Sequence, residues 1–254
     1  MKKHEKDTIN PEHLVELVDI IRESNRIVFF GGAGVSTESD IPDFRSADGL
    51  WNEKLQISFS PEQLVSHTFF MRYPEEFFRF YKDKLVYLDA KPNDAHKALA
   101  KLERMGKLQA VITQNIDGLH QMAGSRVVYE LHGSVQRNYC MDCHAFYDEI
   151  YVMESDGIPV CKKCGGRVKP DVVLYEEALD DKTVRDSVSA IAQADTLIIG
   201  GTSLMVYPAA GLIDYFRGKN LVLINKSHTP ADSKADLVIH EPIGKVLKAV
   251  MERL

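Results

Sequence analysis

Apolar positions along this 254-residue chain fall into short solid runs, separated by longer stretches in which they recur every three or four residues. Arg26-Ile27-Val28-Phe29-Phe30 is nearly all apolar, the pattern of a strand buried on both faces. Leu108–Ile112, Val127–Leu131, Asp195–Ile199, Leu221–Ile224 and Leu237–Ile239 are further strand candidates. Residues 11–24 place Leu14, Leu17, Val18 and Ile21 on one helical face, behind a Pro11 that suits a first turn. Residues 61–88 form an aromatic-rich helical stretch (Phe69, Phe70, Phe77, Phe78, Phe80, Tyr81), expected to pack as a lobe or lid. Further helices are predicted at 93–105, 181–193 and 243–253. Strands alternating with helices imply a mostly parallel, doubly wound α/β sheet, which binds ligands outside the carboxyl ends of its strands. Polar and glycine motifs fall at four such ends: 31–36, 113–117, 200–203 and 225.

Composition narrows the setting. An apolar content of 44% and a charged content of 27% are those of a soluble globular chain, long enough for one large core or a large and a small domain. A net charge of −6 argues against general nucleic-acid binding but leaves room for a locally basic partner. No apolar run reaches the length of a membrane span, and no apolar stretch follows the charged start Met1-Lys2-Lys3-His4-Glu5-Lys6. The expectation is a cytoplasmic protein with neither membrane nor nucleic-acid contacts.

The chain has four cysteines, in two pairs with two-residue spacers: Cys140 with Cys143, and Cys161 with Cys164. Such knuckles supply the four thiolates of a tetrahedral zinc site. Four protein ligands leave no position for water, so the metal is expected to be structural. The alternative is four unmetallated thiols in a redox role.

Gly32-Ala33-Gly34 after a strand would let the backbone approach a pyrophosphate at a helix N-terminus. Alone it fits a tight strand–helix turn equally well. Thr113-Gln114-Asn115-Ile116-Asp117-Gly118 could hold ribose hydroxyls and a carboxamide, or be a polar turn with Asp117 as a cap. His132, at the end of a predicted strand, is either a structural histidine or a general base.

Together these motifs resemble the sirtuins, the NAD-dependent protein deacylases. The resemblance runs from Phe29 to about Glu241 and rests on seven segments. They are Gly32-Ala33-Gly34-Val35-Ser36, Ile41-Pro42-Asp43-Phe44-Arg45, Thr113 to Asp117, His132-Gly133, the four cysteines, Lys169-Pro170-Asp171-Val172-Val173 and Gly201-Thr202-Ser203-Leu204. It implies one catalytic unit over residues 1–254, most like the compact bacterial members. The Rossmann-like domain would take in 8–45, 90–133 and 171–254, with a helical module and cofactor loop at 46–89 and a zinc-ribbon-like module at 134–170.

The resemblance also implies roles. Gly32, Ala33, Gly34, Ser36 and Thr37 would hold the NAD phosphates, with Asp43, Phe44 and Arg45 on a mobile cofactor loop. Asn115, Ile116 and Asp117 would line the nicotinamide pocket, and Gln114 would bind its ribose. Gly201, Thr202 and Ser203 would contact phosphate and ribose, and Asn225 and Lys226 the adenosine end. His132, Asn115 and Asp117 would be catalytic, His132 as general base on a ribose hydroxyl. The reaction would release lysine, nicotinamide and O-acyl-ADP-ribose.

An acyl-lysine peptide or protein would add as a strand between Val173-Leu174-Tyr175-Glu176-Glu177 and Met205-Val206, beside Phe44 and His132. Tyr81 and Lys84 stand near the place where members that remove acidic acyl groups carry a Tyr and an Arg. They imply a weak succinyl or malonyl preference, or else a solvated helix face. Mono-ADP-ribosyl transfer is the rival activity, and a monomer is expected. Two positions depart from the family pattern: Asp40 replaces a glycine, and Tyr175-Glu176-Glu177 replaces Phe-Gly-Glu.

Overall fold

The computed structural model describes residues 9–44, 49 and 59–254. Its elements run α1 (Pro11–Glu23), β1 (Ile27–Gly31), α2 (Pro61–Leu64), α3 (His67–Arg72), α4 (Pro74–Lys84), α5 (Asp94–Arg104) and β2 (Leu108–Thr113). There follow α6 (Leu119–Met122), β3 (Val128–Glu130), β4 (Gly133–Cys140), β5 (Phe146–Tyr147), α7 (Glu149–Glu154) and β6 (Val168–Val172). The chain closes with α8 (Asp181–Gln193), β7 (Thr196–Gly200), β8 (Asn220–Ile224), β9 (Leu237–Ile239) and α9 (Ile243–Met251).

Among the described residues, six strands form a sheet in the order β3-β2-β1-β7-β8-β9, parallel throughout. Both faces are covered, as the solid apolar runs require. In β1, Ile27 and Phe29 point into a core built with α1, α5 and α9. Val28 and Phe30 point into a second core with Ile191, Leu204 and Leu212. The chain builds outward from β1 to β3, then returns to place β7 on the other side of β1. That reversal makes the carboxyl ends of β1 and β7 the switch point, where doubly wound sheets open a crevice.

The helical stretch expected over 61–88 comprises three helices, α2 to α4. Val65 closes the first, and Ser66 caps the second, its Oγ accepting from Phe69 N–H at 3.1 Å. Pro74 then starts the third, where a prolyl nitrogen with no hydrogen breaks the ladder. The glycine loop also departs from expectation: it opens a 3-10 turn, Ala33–Val35, and not an α-helix.

A smaller antiparallel sheet, β5-β4-β6, carries the cysteines. It shares one core with the helical lobe: Phe70, Phe77, Phe78 and Tyr81 pack with Cys140, Val152, Cys161 and Val168. The chain crosses between domains at Gly133, with φ +74 and pairing to Val172. A Cβ there would stand 1.9 Å from the Asp171 carbonyl oxygen, so only glycine fits. Beside the crossing, Arg137 on β4 donates to Glu130 at 2.7 Å and to Asp171 at 2.7 Å, tying β3, β4 and β6 together.

Candidate active site

At the switch point the two strand-end loops touch through backbone. Gly34 N–H donates to Gly201 O at 2.8 Å and Gly32 N–H to Gly200 O at 3.3 Å. A Cβ on Gly34 would lie 2.8 Å from Gly201 Cα, and one on Gly32 2.9 Å from Thr202 Cβ. Gly201 itself sits at φ +59, and a Cβ there would meet Val35 N at 2.4 Å. Three glycines thus let two backbones close to a separation that side chains forbid. The loops form a cradle of small groups of the kind a dinucleotide pyrophosphate needs.

Behind the cradle lies a polar chain. Ser36, 1% exposed, donates through Oγ to Asp117 Oδ2 at 2.7 Å and accepts from Asn115 Nδ2 at 3.0 Å. Asp117 Oδ1 accepts from Leu119 N–H at 2.9 Å. Burial pushes the Asp117 carboxyl above its ordinary range, against the opposing pull of these bonds. Gln114 Nε2 donates to Thr202 Oγ1 at 3.1 Å, linking the β2 and β7 loops. Thr37 Oγ1 donates to Gly34 O at 3.1 Å and firms the turn.

His132 follows β3 by two residues, and its Nδ1 is 3.0 Å from Gln114 O. A carbonyl only accepts, so Nδ1 carries the proton and the neutral ring presents a lone pair at Nε2. Burial lowers the His132 pKa, and the Gln114 bond opposes part of that shift. The ring is a neutral base near pH 7 oriented at Nδ1 by Gln114 O, and the residue's own backbone carbonyl accepts from Val173 N–H at 3.0 Å.

The segment after β6 runs beside this histidine. Tyr175 N–H donates to Val65 O and His67 N–H to Tyr175 O, each at 3.0 Å. Tyr175 is exposed and Val173 half-buried, whereas Leu174 is buried in the small-domain core. Leu174 can therefore offer a ligand only its backbone, and its N–H is already held by Glu177 Oε2 at 2.9 Å. Glu177 also accepts from Lys169 Nζ at 3.1 Å and meets His67 Nδ1 at 2.8 Å. Glu176 takes φ +77 and Asp40 φ +62, the left-handed conformations that glycine would adopt freely.

Other expected contacts are spread around the crevice. Ala33, Asp43, Phe44, Ile116, Ser203 and Val206 are half-buried, and Met205 is 60% exposed. Asn225 follows β8, with Nδ2 donating to Ser227 O at 2.7 Å, and Lys226 is exposed beside it. Arg45 lies outside the described residues. Tyr81 is 1% exposed within the aromatic core, and Lys84 lies 3.6 Å from Asp83. That placement favours a packed helix over a contact to an acidic acyl group. Sequence reasoning missed Arg137 as the clamp at the His132 crossing. Its partners Glu130 and Asp171 lie on separate strands, so only the sheet pairing brings the three together.

The four cysteine sulfurs converge within 4.8 Å of one another, with Cys140–Cys164 at 3.4 Å and Cys143–Cys161 at 3.6 Å. Zn–S bonds of about 2.3 Å in a tetrahedron separate sulfurs by about 3.8 Å, so the set fits a zinc ion. Backbone N–H groups of Asp142 and Lys163 point at Cys140 and Cys161 and would stabilise thiolate charge.

Comparison with known proteins agrees with this geometry. The Sir2 family model matches residues 32–208. An NAD-dependent protein deacetylase of Clostridium perfringens is 74% identical over 93% of this chain and 98% of its own length. That of Clostridium acetobutylicum is 63% identical over 93% of this chain and 97% of its own. A solved Sir2 variant holding a deacetylated p53 peptide and 3′-O-acetyl ADP ribose superposes with a TM-score of 0.87 at 39% identity, covering 94% of this chain and 98% of that one. Sir2 bound to an acetylated peptide superposes at 0.83 with 39% identity, over 94% and 98% of the two chains. These matches span most of the chain, and the chain belongs to the Sir2 family.

Proposed function

We infer that this chain is an NAD-dependent protein-lysine deacetylase that transfers the acyl group to ADP-ribose and releases nicotinamide. The observation that carries the reading is His132, fixed in one tautomer by Gln114 O with Nε2 unprotonated, beside the Ser36–Asn115–Asp117 chain at the switch point. NAD would supply the electrophilic sugar carbon and the acceptor hydroxyl. The residues that would hold it are Gly32, Ala33, Gly34, Ser36 and Thr37 at the phosphates, Gln114 and Gly201-Thr202-Ser203 at the riboses, and Asn225 and Lys226 at the adenosine.

Asn115 and Asp117 would orient the nicotinamide amide, and the raised Asp117 pKa suits a carboxyl that meets a polar group away from water. His132 Nε2 would take the proton of the acceptor hydroxyl. An extended acyl-lysine peptide would lie as an added strand between the 173–177 segment and Met205-Val206, with Val173, Tyr175 and Phe44 walling the acyl-lysine tunnel and Phe44 closing the sugar face. Backbone pairing makes modest demands on peptide sequence. The cysteine-bound zinc would hold the wall on which the peptide lies. The same reading gives a cytoplasmic monomer without a nucleic-acid partner, in keeping with the −6 charge.

The test is mass spectrometry of the products formed from NAD and an acetyl-lysine peptide. Nicotinamide and O-acetyl-ADP-ribose should appear together, and His132→Ala should lower kcat by about 100- to 10,000-fold. Undiminished turnover in His132→Ala would remove His132 as the base.

A further inference from the structure

Away from the thiolates, a second set of metal-type donors converges among the described residues: His228, Asp232 and His240, with donor atoms all within 4.8 Å of one another. His228 lies in the loop after β8, Asp232 begins a 3-10 turn, and His240 immediately follows β9. Pairing of Ile224 with Ile239 brings the two strand ends, and so the three side chains, together. Asp232 Oδ2 is the shared point, 2.8 Å from His228 Nδ1 and 3.3 Å from His240 Nε2. The two imidazoles stand edge to face with centroids 4.3 Å apart.

The groups behind the donors orient them. His240 Nδ1 lies 3.0 Å from Asn225 O, a carbonyl that only accepts, so Nδ1 donates there and Nε2 is the nitrogen turned toward the Asp232 carboxylate. The second carboxylate oxygen is already occupied: Asp232 Oδ1 accepts from Thr229 N–H at 2.9 Å and Thr229 Oγ1 at 2.8 Å. Oδ2 is thereby aimed at the two rings. A backbone carbonyl behind one imidazole and a hydroxyl behind the carboxylate form the outer support that protein metal sites use. Ligand atoms at about 2.0–2.1 Å from a tetrahedral ion are about 3.3 Å apart, the spacing seen to His240. His228, 87% exposed, can swing to make room for an ion.

We propose that His228, Asp232 and His240 form a second, exchangeable site for a divalent transition metal, with the remaining position open to water. Two imidazoles and one carboxylate select zinc, cobalt or nickel over magnesium or calcium, which want oxygen ligands. The site sits at the carboxyl ends of β8 and β9, on the carbonyl of the same Asn225 that is expected to face the adenosine ribose.

The test is equilibrium dialysis of the purified protein, its thiolate-bound zinc left in place, against Co2+, with metal content read per chain and visible d–d absorption recorded. One further equivalent should bind. His228→Ala and His240→Gln should each weaken that equivalent by at least tenfold, with the size expected from losing a ligand or its support, while His13→Ala on α1 leaves it unchanged. Matching melting temperatures without Co2+ show that the exposed His228 variant is folded. Binding of no further equivalent, or a further equivalent equally tight in His228→Ala, would overturn the site.

Discussion

Glu176 holds a left-handed backbone conformation, φ +77, that a side chain makes costly by about 1 kcal/mol. It recovers part of that cost because its Oε2 accepts from Thr68 N–H at 2.8 Å, in the first turn of α3, where an unpaired donor would otherwise face solvent. Strain and cap can be separated. Glu176→Ala keeps the strain and loses the cap, and should destabilise by about 1 kcal/mol. Glu176→Gly loses both and should lie within about 0.5 kcal/mol of the natural protein. Urea unfolding of the two variants decides it, and equal stabilities for Ala and Gly would remove strain from the account. The left-handed positions were foreshadowed in the sequence, since Asp40 and Glu176 stand where the family resemblance leads one to expect glycine. What no sequence pattern reveals is which partner each buried group chooses. Ser36 bridging Asn115 and Asp117, and Gln114 O fixing the His132 tautomer, depend on loops that only the parallel sheet brings together.

The strands and the longer helices were legible, because a strand covered on both faces must be a solid apolar run and a helix covered on one must repeat every three to four residues. Their order in the sheet was not, since β1 pairs with β7 across a long insertion and no local pattern encodes that. That the zinc-binding sheet and the helical lobe make one smaller domain was expected from the family resemblance, and no local pattern encodes it. Cys140 and Cys161 contribute buried surface to the same cluster as Phe70, Phe77 and Phe78. Removing zinc should therefore loosen α3 and α4 as well as β4 to β6, though neither helix supplies a ligand. Hydrogen exchange after chelation should rise in 67–84 and 134–170, while β1, β2 and β7 keep their protection. Exchange confined to 134–170 would mean that the two modules are independent.

Two histidines are buried on helices beside β1 of the large sheet, and they set how the whole fold responds to acid. His96 on α5 and His120 on α6 are both buried, with ring centroids 4.7 Å apart, beside Phe29 of β1. Neither ring nitrogen of His120 has a hydrogen-bond partner among the described residues. Burial pushes His96 down to about 4 and His120 well below the ordinary imidazole value. Unfolded, both would take protons near 6.5. Their neutral forms thus stabilise the fold fully above that pH, and stability is lost as pH falls from about 6.5 toward 4. The raised Asp117 works in the opposite direction, but in the carboxylate range. The melting temperature should fall from pH 7 to pH 5. His120→Phe, which fills the aromatic site without titrating, should flatten that fall and be neutral or better at pH 7. An unchanged pH slope in His120→Phe would assign the acid sensitivity elsewhere.

The place of β1 in the sheet has a consequence for synthesis. It is an inner strand, yet its neighbour β7 begins only at Thr196, after the helical lobe and the zinc module have been made. At about 5–20 residues per second, the β1 edge awaits its partner for on the order of ten seconds while the rest of the chain emerges. Through that interval Ile27 to Phe30 is an apolar strand with an unpaired side, the kind of edge on which chains aggregate. The zinc module, whose three strands pair among themselves within 133–172, can close during the same wait. For a nascent chain, the hazard is the time needed to translate the small domain.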